Sequence, residues 1–94
     1  MLDISVGTNG EIVLSGRFDA AEAEKARQLF LSLEETRVVD FARLDYISSA
    51  GLGVLLAAQK KLSEQGGGLK LVNMNGHIRD VFRFSGFDQI FEID

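Results

Sequence analysis

"VVDFARLDYISSAGLGVLLAAQKKL", residues 38–62, changes character halfway along. Its first part gathers Val38, Val39 and Phe41 into a compact apolar run. Such a run reads as a buried strand, here over 37–44. Its second part repeats apolar residues at spacings of three and four, which predicts a helix over about residues 50–65. Ser48 and Ser49 stand at the junction. One of them is expected to be the N-cap, its oxygen accepting a backbone N–H of the first turn. Gly51 and Gly53 follow at once, although a glycine inside a helix costs roughly 1 kcal/mol against alanine. Two are tolerable where another chain segment comes close.

A helical wheel divides this helix into two sides. Leu52, Leu55, Leu56, Gln59 and Leu62 form the expected core side. Opposite lie Ala50, Gly53, Val54, Ala57, Lys61 and Glu64, charged toward the end but small and apolar beside the serines. An exposed helix without a partner normally carries charged residues throughout that side. The small apolar patch is therefore expected to receive another protein. Gly51 lies toward the flank and suits close packing within the domain.

Working outward, "LDISV" (2–6) alternates like a half-buried strand and "EIVLSG" (11–16) reads as its partner, with the turn signal "TNG" (8–10) between them. In "FDAAEAEKARQLFLSL" (18–33), Ala23, Ala26, Phe30 and Leu33 form a helical stripe. Asp19 stands where an N-cap belongs, and Glu22 completes a capping-box pattern. The triple glycine at 66–68 is expected to close the central helix. "LKLVNM" (69–74) is a further strand. "HIRDVFRFSG" (77–86) is a short helix on Ile78, Val81 and Phe82, stopped by Gly86. "QIFEI" (89–93) is an edge strand or a tail. This order predicts one α/β domain over 1–94: an N-terminal hairpin, then β-α-β-α-β-α crossovers, with helices packed on a mixed sheet. Part of one sheet face is expected to stay thinly covered.

The 94 residues carry 46% hydrophobic and 26% charged residues, enough for one core and a solvated surface. With no cysteine there is no disulfide and no thiolate chemistry. A net charge of −4, with acids and bases interspersed, argues against nucleic acid. No stretch approaches a membrane span, and no leader-like segment opens the chain, so a cytoplasmic protein is expected. The single histidine, His77, has no nucleophile paired with it, and an N/S metal cluster is ruled out. "GLGVLL" (51–56) lacks the third glycine of a dinucleotide fingerprint and the Lys-Ser/Thr of a phosphate loop. Neither a catalytic constellation nor a cofactor is expected, and the chain reads as a binding module rather than an enzyme.

Residues 38–91 resemble the STAS domain family, specifically the bacterial anti-sigma factor antagonists. The resemblance rests on an ordered set: the acidic strand end, the hydrophobic-Ser-Ser-Ala-Gly-Leu-Gly helix start, the Gly-rich turn and the "FSGFDQIF" (84–91) ending. "LSGRFDA" (14–20) looks like that family's second strand and the loop after it. The resemblance implies partner switching. The unphosphorylated antagonist binds an anti-sigma factor that is a serine kinase of the histidine-kinase-type ATPase fold. Phosphorylation ends the binding, and a metal-dependent serine phosphatase restores it. By this resemblance Ser49 is the phosphorylated serine. Ser48 occupies the position where the family usually carries aspartate, which leaves Ser48 as the alternative acceptor. Asp19 matches the acidic residue of the loop into the first helix. The implied partner surface is Asp19, Ser48, Ser49, Ala50, Gly51, Gly53, Val54 and Ala57. The same resemblance also covers STAS subunits of lipid or anion transport systems and of larger sensory assemblies.

Overall fold

The chain first doubles back on itself and then steps repeatedly in one direction. In the computed structural model, which describes residues 1–94, β1 (Leu2–Val6) pairs antiparallel with β2 (Ile12–Phe18). The turn between them closes through Gly7 N–H to the Glu11 carbonyl, 2.7 Å. A 3-10 turn (Ala20–Glu22) leads into α1 (Ala23–Leu31). Then follow β3 (Arg37–Ile47), α2 (Ser49–Ser63), β4 (Leu69–Val72) and α3 (Gly76–Ser85). A second 3-10 turn (Phe87–Gln89) precedes the two-residue edge strand β5 (Glu92–Ile93). The sheet order is β1-β2-β3-β4-β5, and every pair after the hairpin is parallel. The expected α/β domain with a mixed sheet is what forms.

Right-handed crossovers that step three times in one direction place their helices on one face of the sheet. Burial follows that rule. Ile12, Leu14, Val39, Phe41, Leu69 and Leu71 point into a single apolar cluster with Ala26, Phe30, Leu55, Leu62, Ile78 and Phe82. The alternate positions Val13, Val38, Asp40, Lys70 and Val72 remain half-exposed on the other face. Aromatic edges hold α3 down: Phe82 meets Phe41 at 6.0 Å and Phe91 at 5.7 Å between ring centroids. Each such pair contributes about 0.5–1.5 kcal/mol beyond its buried area.

Three expectations need correction. β3 continues to Ile47 rather than stopping at 44, because β2 supplies ladder partners, with Arg17 opposite Tyr46 and Phe18 opposite Ile47. α2 ends at Ser63, short of 65. The capping box of Asp19 and Glu22 does not form. Neither side chain caps a helix N–H, and the Glu22 carboxylate instead accepts the Leu2 N–H at 2.8 Å. Lys25 Nζ donates to the Leu2 carbonyl at 2.9 Å. The start of the helix thus ties down the outer edge of β1, a long-range use that outweighs the local one.

Gly16 shows why the strand ends lie where they do. Its φ is +96°, and a Cβ there would lie 2.3 Å from the Met1 carbonyl oxygen. Only glycine lets β1 approach β2 this closely, next to the point where the β2–β3 ladder shifts register between Gly16 and Arg17.

Candidate functional site

At the C-terminal ends of β2 and β3 the chain passes into the helical layer, and Ser48 meets the end of β2 there. Ser48 is the N-cap of α2, with extended backbone. Its hydroxyl accepts the Gly51 N–H at 3.1 Å and donates to the Phe18 carbonyl at 3.1 Å. Its own N–H donates to the same carbonyl at 2.9 Å. The Ser48 hydroxyl is therefore occupied as donor and acceptor at once. Ser49 is the first residue of the helix, exposed, and its hydroxyl has no partner within the domain. Since Ser48 satisfies Gly51, the N–H groups of Ser49 and Ala50 remain as free donors at the positive end of α2. The first turn contains no acidic residue.

The phase of α2 differs from the expected one. Its solvent-facing line is Ser49, Gly53, the half-exposed Leu56 and Lys60. Val54 is 3% exposed and Gly51 is buried, so both leave the predicted partner surface. The side that carries Val54 and Lys61 packs against α1, and Lys61 Nζ donates to the last carbonyl of that helix, Leu31, and at 3.1 Å to that of Leu33 just beyond its end. Ala50 and Ala57 are half-buried beside that seam. Leu56, expected in the core, borders a shallow groove with Gln59, Lys60, Ser63 and Ile90.

The two glycines have opposite explanations. A Cβ at Gly51 would lie 2.9 Å from Phe18 Cδ1 and 3.0 Å from Ile47 Cγ1, so its absence seats the first turn on the ends of β2 and β3. A Cβ at Gly53 would meet nothing within 4 Å. No internal packing accounts for Gly53.

Asp19 directly follows the carbonyl that Ser48 grips. Its Oδ1 is buried without a hydrogen-bond partner. On the open face of the same strand ends, the Arg17 guanidinium lies 4.3 Å above the Tyr46 ring. Sequence reasoning missed this pair, because the neighbours are set by the register shift between Gly16 and Arg17.

The surface around Ser49 is smooth. None of the depressions in the molecule is lined by Ser48 or Ser49, and one of about 560 Å³ lies along the open sheet face near Arg37 and Asp40. A small-molecule site is usually concave. A flat patch with a free hydroxyl suits a macromolecule. No group of three or more His, Asp or Glu side chains is placed to hold a metal ion. No helix is long and apolar enough to cross a membrane.

Comparison with known proteins agrees with this architecture. The family model described as "Mlab, STAS domain" matches residues 4–92. BtrV of Bordetella bronchiseptica, whose assignment as an anti-sigma factor antagonist is provisional, is 44% identical over 82 residues, covering 87% of this chain and 70% of BtrV. The anti-sigma-B factor antagonist of Bacillus subtilis is 28% identical over 86 residues, covering 88% of this chain and 79% of the relative. Among solved structures, the unphosphorylated anti-sigma factor antagonist SpoIIAA superposes with a TM-score of 0.70 at 21% identity, covering 96% of this chain and 97% of SpoIIAA. Its phosphorylated form, from Bacillus, gives 0.70 at 24% identity, covering 100% of this chain and 91% of that one. At those identities the likeness is one of fold. The model match and the BtrV relationship establish that this chain belongs to the STAS domain family, which includes the anti-sigma factor antagonists named among its relatives.

Proposed function

We propose that this chain is an anti-sigma factor antagonist of the cytoplasm, switched by phosphorylation at Ser49. Unphosphorylated, it binds an anti-sigma factor that is a serine kinase of the histidine-kinase-type ATPase fold, and so frees a sigma factor for transcription. Phosphorylation releases it, and a metal-dependent serine phosphatase resets it. The observation that carries this reading is the contrast between the two hydroxyls: Ser49 is exposed and unbonded, while Ser48 is occupied twice. The partner surface on this reading is Asp19, Ser49, Ala50, Gly53 and the exposed edge of Ala57, held together by Ser48 and without Gly51 and Val54. A phosphate at Ser49 meets the free N–H groups and the positive end of the helix dipole, so the helix can carry the new charge. The charge therefore acts on the partner, by altering the surface, and the domain stays folded.

The test is binding of the kinase-fold anti-sigma factor from the same organism. Ser49→Ala is expected to bind like wild type and to take up no phosphate. Ser49→Asp is expected to bind more weakly, in part, because it carries less charge than a phosphate. Equal affinity of Ser49→Asp and wild type would overturn the surface assignment.

A further inference from the structure

We infer that Ser48 is a positioning residue for phosphoryl transfer to Ser49, and is not itself an acceptor. The inference rests on the reading of Ser49 as the switched hydroxyl. Two chain segments form the proposed surface: the end of β2 with Asp19, and the start of α2 with Ser49. Their direct hydrogen bonds all pass through Ser48. Its N–H, at 2.9 Å, and its hydroxyl, at 3.1 Å, both donate to the Phe18 carbonyl, and the hydroxyl oxygen also accepts the Gly51 N–H at 3.1 Å. One oxygen thus closes the first turn of α2 and fastens it to the strand end. The absent Cβ at Gly51 lets the Phe18 ring and Ile47 reinforce the junction, since a Cβ would approach them to 2.9 and 3.0 Å. Asp19 is the very next residue after Phe18, so the same clasp sets its place relative to Ser49.

The chemistry explains the division of labour. In the transfer, Ser49 Oγ forms a bond to the γ-phosphorus of ATP, the bond to the β–γ bridging oxygen breaks, and ADP leaves. The Ser49 proton passes to a base of the kinase. Ser49 Oγ is free to do this. Ser48 Oγ could attack only after giving up its bond to Phe18 and turning its lone pairs away from Gly51, which would undo the side-chain part of the clasp. In-line transfer is sensitive to small errors of position. Loosening the clasp therefore slows the chemical step more than it weakens the encounter.

The experiment measures steady-state phosphorylation of the full chain by the organism's kinase-fold anti-sigma factor that modifies the wild-type protein. The substrates are wild type, Ser48→Ala, Ser48→Thr and Ser49→Ala, each confirmed folded by circular dichroism. Ser48→Ala is expected to lower kcat about tenfold while KM stays within about twofold. Ser48→Thr retains a hydroxyl that can make both bonds, and is expected to restore kcat to within about threefold of wild type. Wild-type kcat for Ser48→Ala would overturn the inference and leave the role of Ser49 intact. A change in KM alone would overturn it too, because Ser48 would then be a docking residue. Phosphate taken up by Ser49→Ala would overturn both this inference and the proposed switch.

Discussion

Alanine at positions 51 and 53 makes a matched pair, two residues apart on one helix, with opposite predicted effects. At Gly51 the new methyl would lie 2.9 Å from Phe18 Cδ1 and 3.0 Å from Ile47 Cγ1. Both neighbours are core side chains, 0% and 5% exposed, with little room to retreat. Overpacking of this kind costs about 1–3 kcal/mol, and the gain in helix propensity, reduced in the first turn, offsets only part of it. At Gly53 the methyl meets nothing within 4 Å, so the propensity gain stands alone, up to about 1 kcal/mol. For a domain near this size, 1 kcal/mol moves Tm by about 4–8 °C. Urea melts of the two variants should therefore shift in opposite directions with unchanged slope, since neither alters the surface exposed on unfolding. The same Gly53→Ala protein is expected to bind the kinase more weakly, because the methyl intrudes on the exposed line beside Ser49. A Gly51→Ala variant as stable as wild type would refute the packing argument. A destabilised Gly53→Ala variant would refute the claim that no internal contact requires that glycine.

Three further outcomes follow from the geometry. Asp19→Ala should not destabilise the domain in a thermal melt, since Asp19 caps nothing and its buried Oδ1 has no partner to lose, whereas removing a working N-cap would cost about 1 kcal/mol. Lys61→Met keeps the apolar stem but loses the bonds to the Leu31 and Leu33 carbonyls, and should cost about 1–3 kcal/mol by urea titration. Ser49→Asp adds a negative charge to a first turn that has none, and should raise stability by about 0.3–1 kcal/mol at low salt, declining as salt is added.

Much of the fold is legible because its signals are local. The turn after "LDISV", the strand over Leu69–Val72 and the helix on Ile78 and Phe82 each depend on neighbours a few residues away. The junction serines are legible for the same reason, as capping is a first-turn event. What failed was set from a distance. The phase of α2 depends on α1, which takes up Val54 and Lys61; small residues in the first turn leave the wheel without a strong apolar anchor to indicate this. Glu22 has the local pattern of a capping box, yet the unpaired N–H of Leu2, twenty residues away, claims its carboxylate. The run of Asp45 and Tyr46 looks like the end of a strand, and only the register with Arg17 and Phe18 extends it to Ile47. Asp19 stands out by its position, but its buried, unbonded oxygen belongs to the packing and has no sequence signature.

On the proposed switch, the two adjacent serines differ in kind, one closed into the junction and one open to a kinase. Phosphopeptide mapping of the protein isolated from its own organism, by fragmentation that separates Ser48 from Ser49, tests this most directly. The expected result is a single phosphoryl group, on Ser49, removed by a metal-dependent phosphatase. Phosphate on Ser48, or on a residue away from the start of α2, would contradict it.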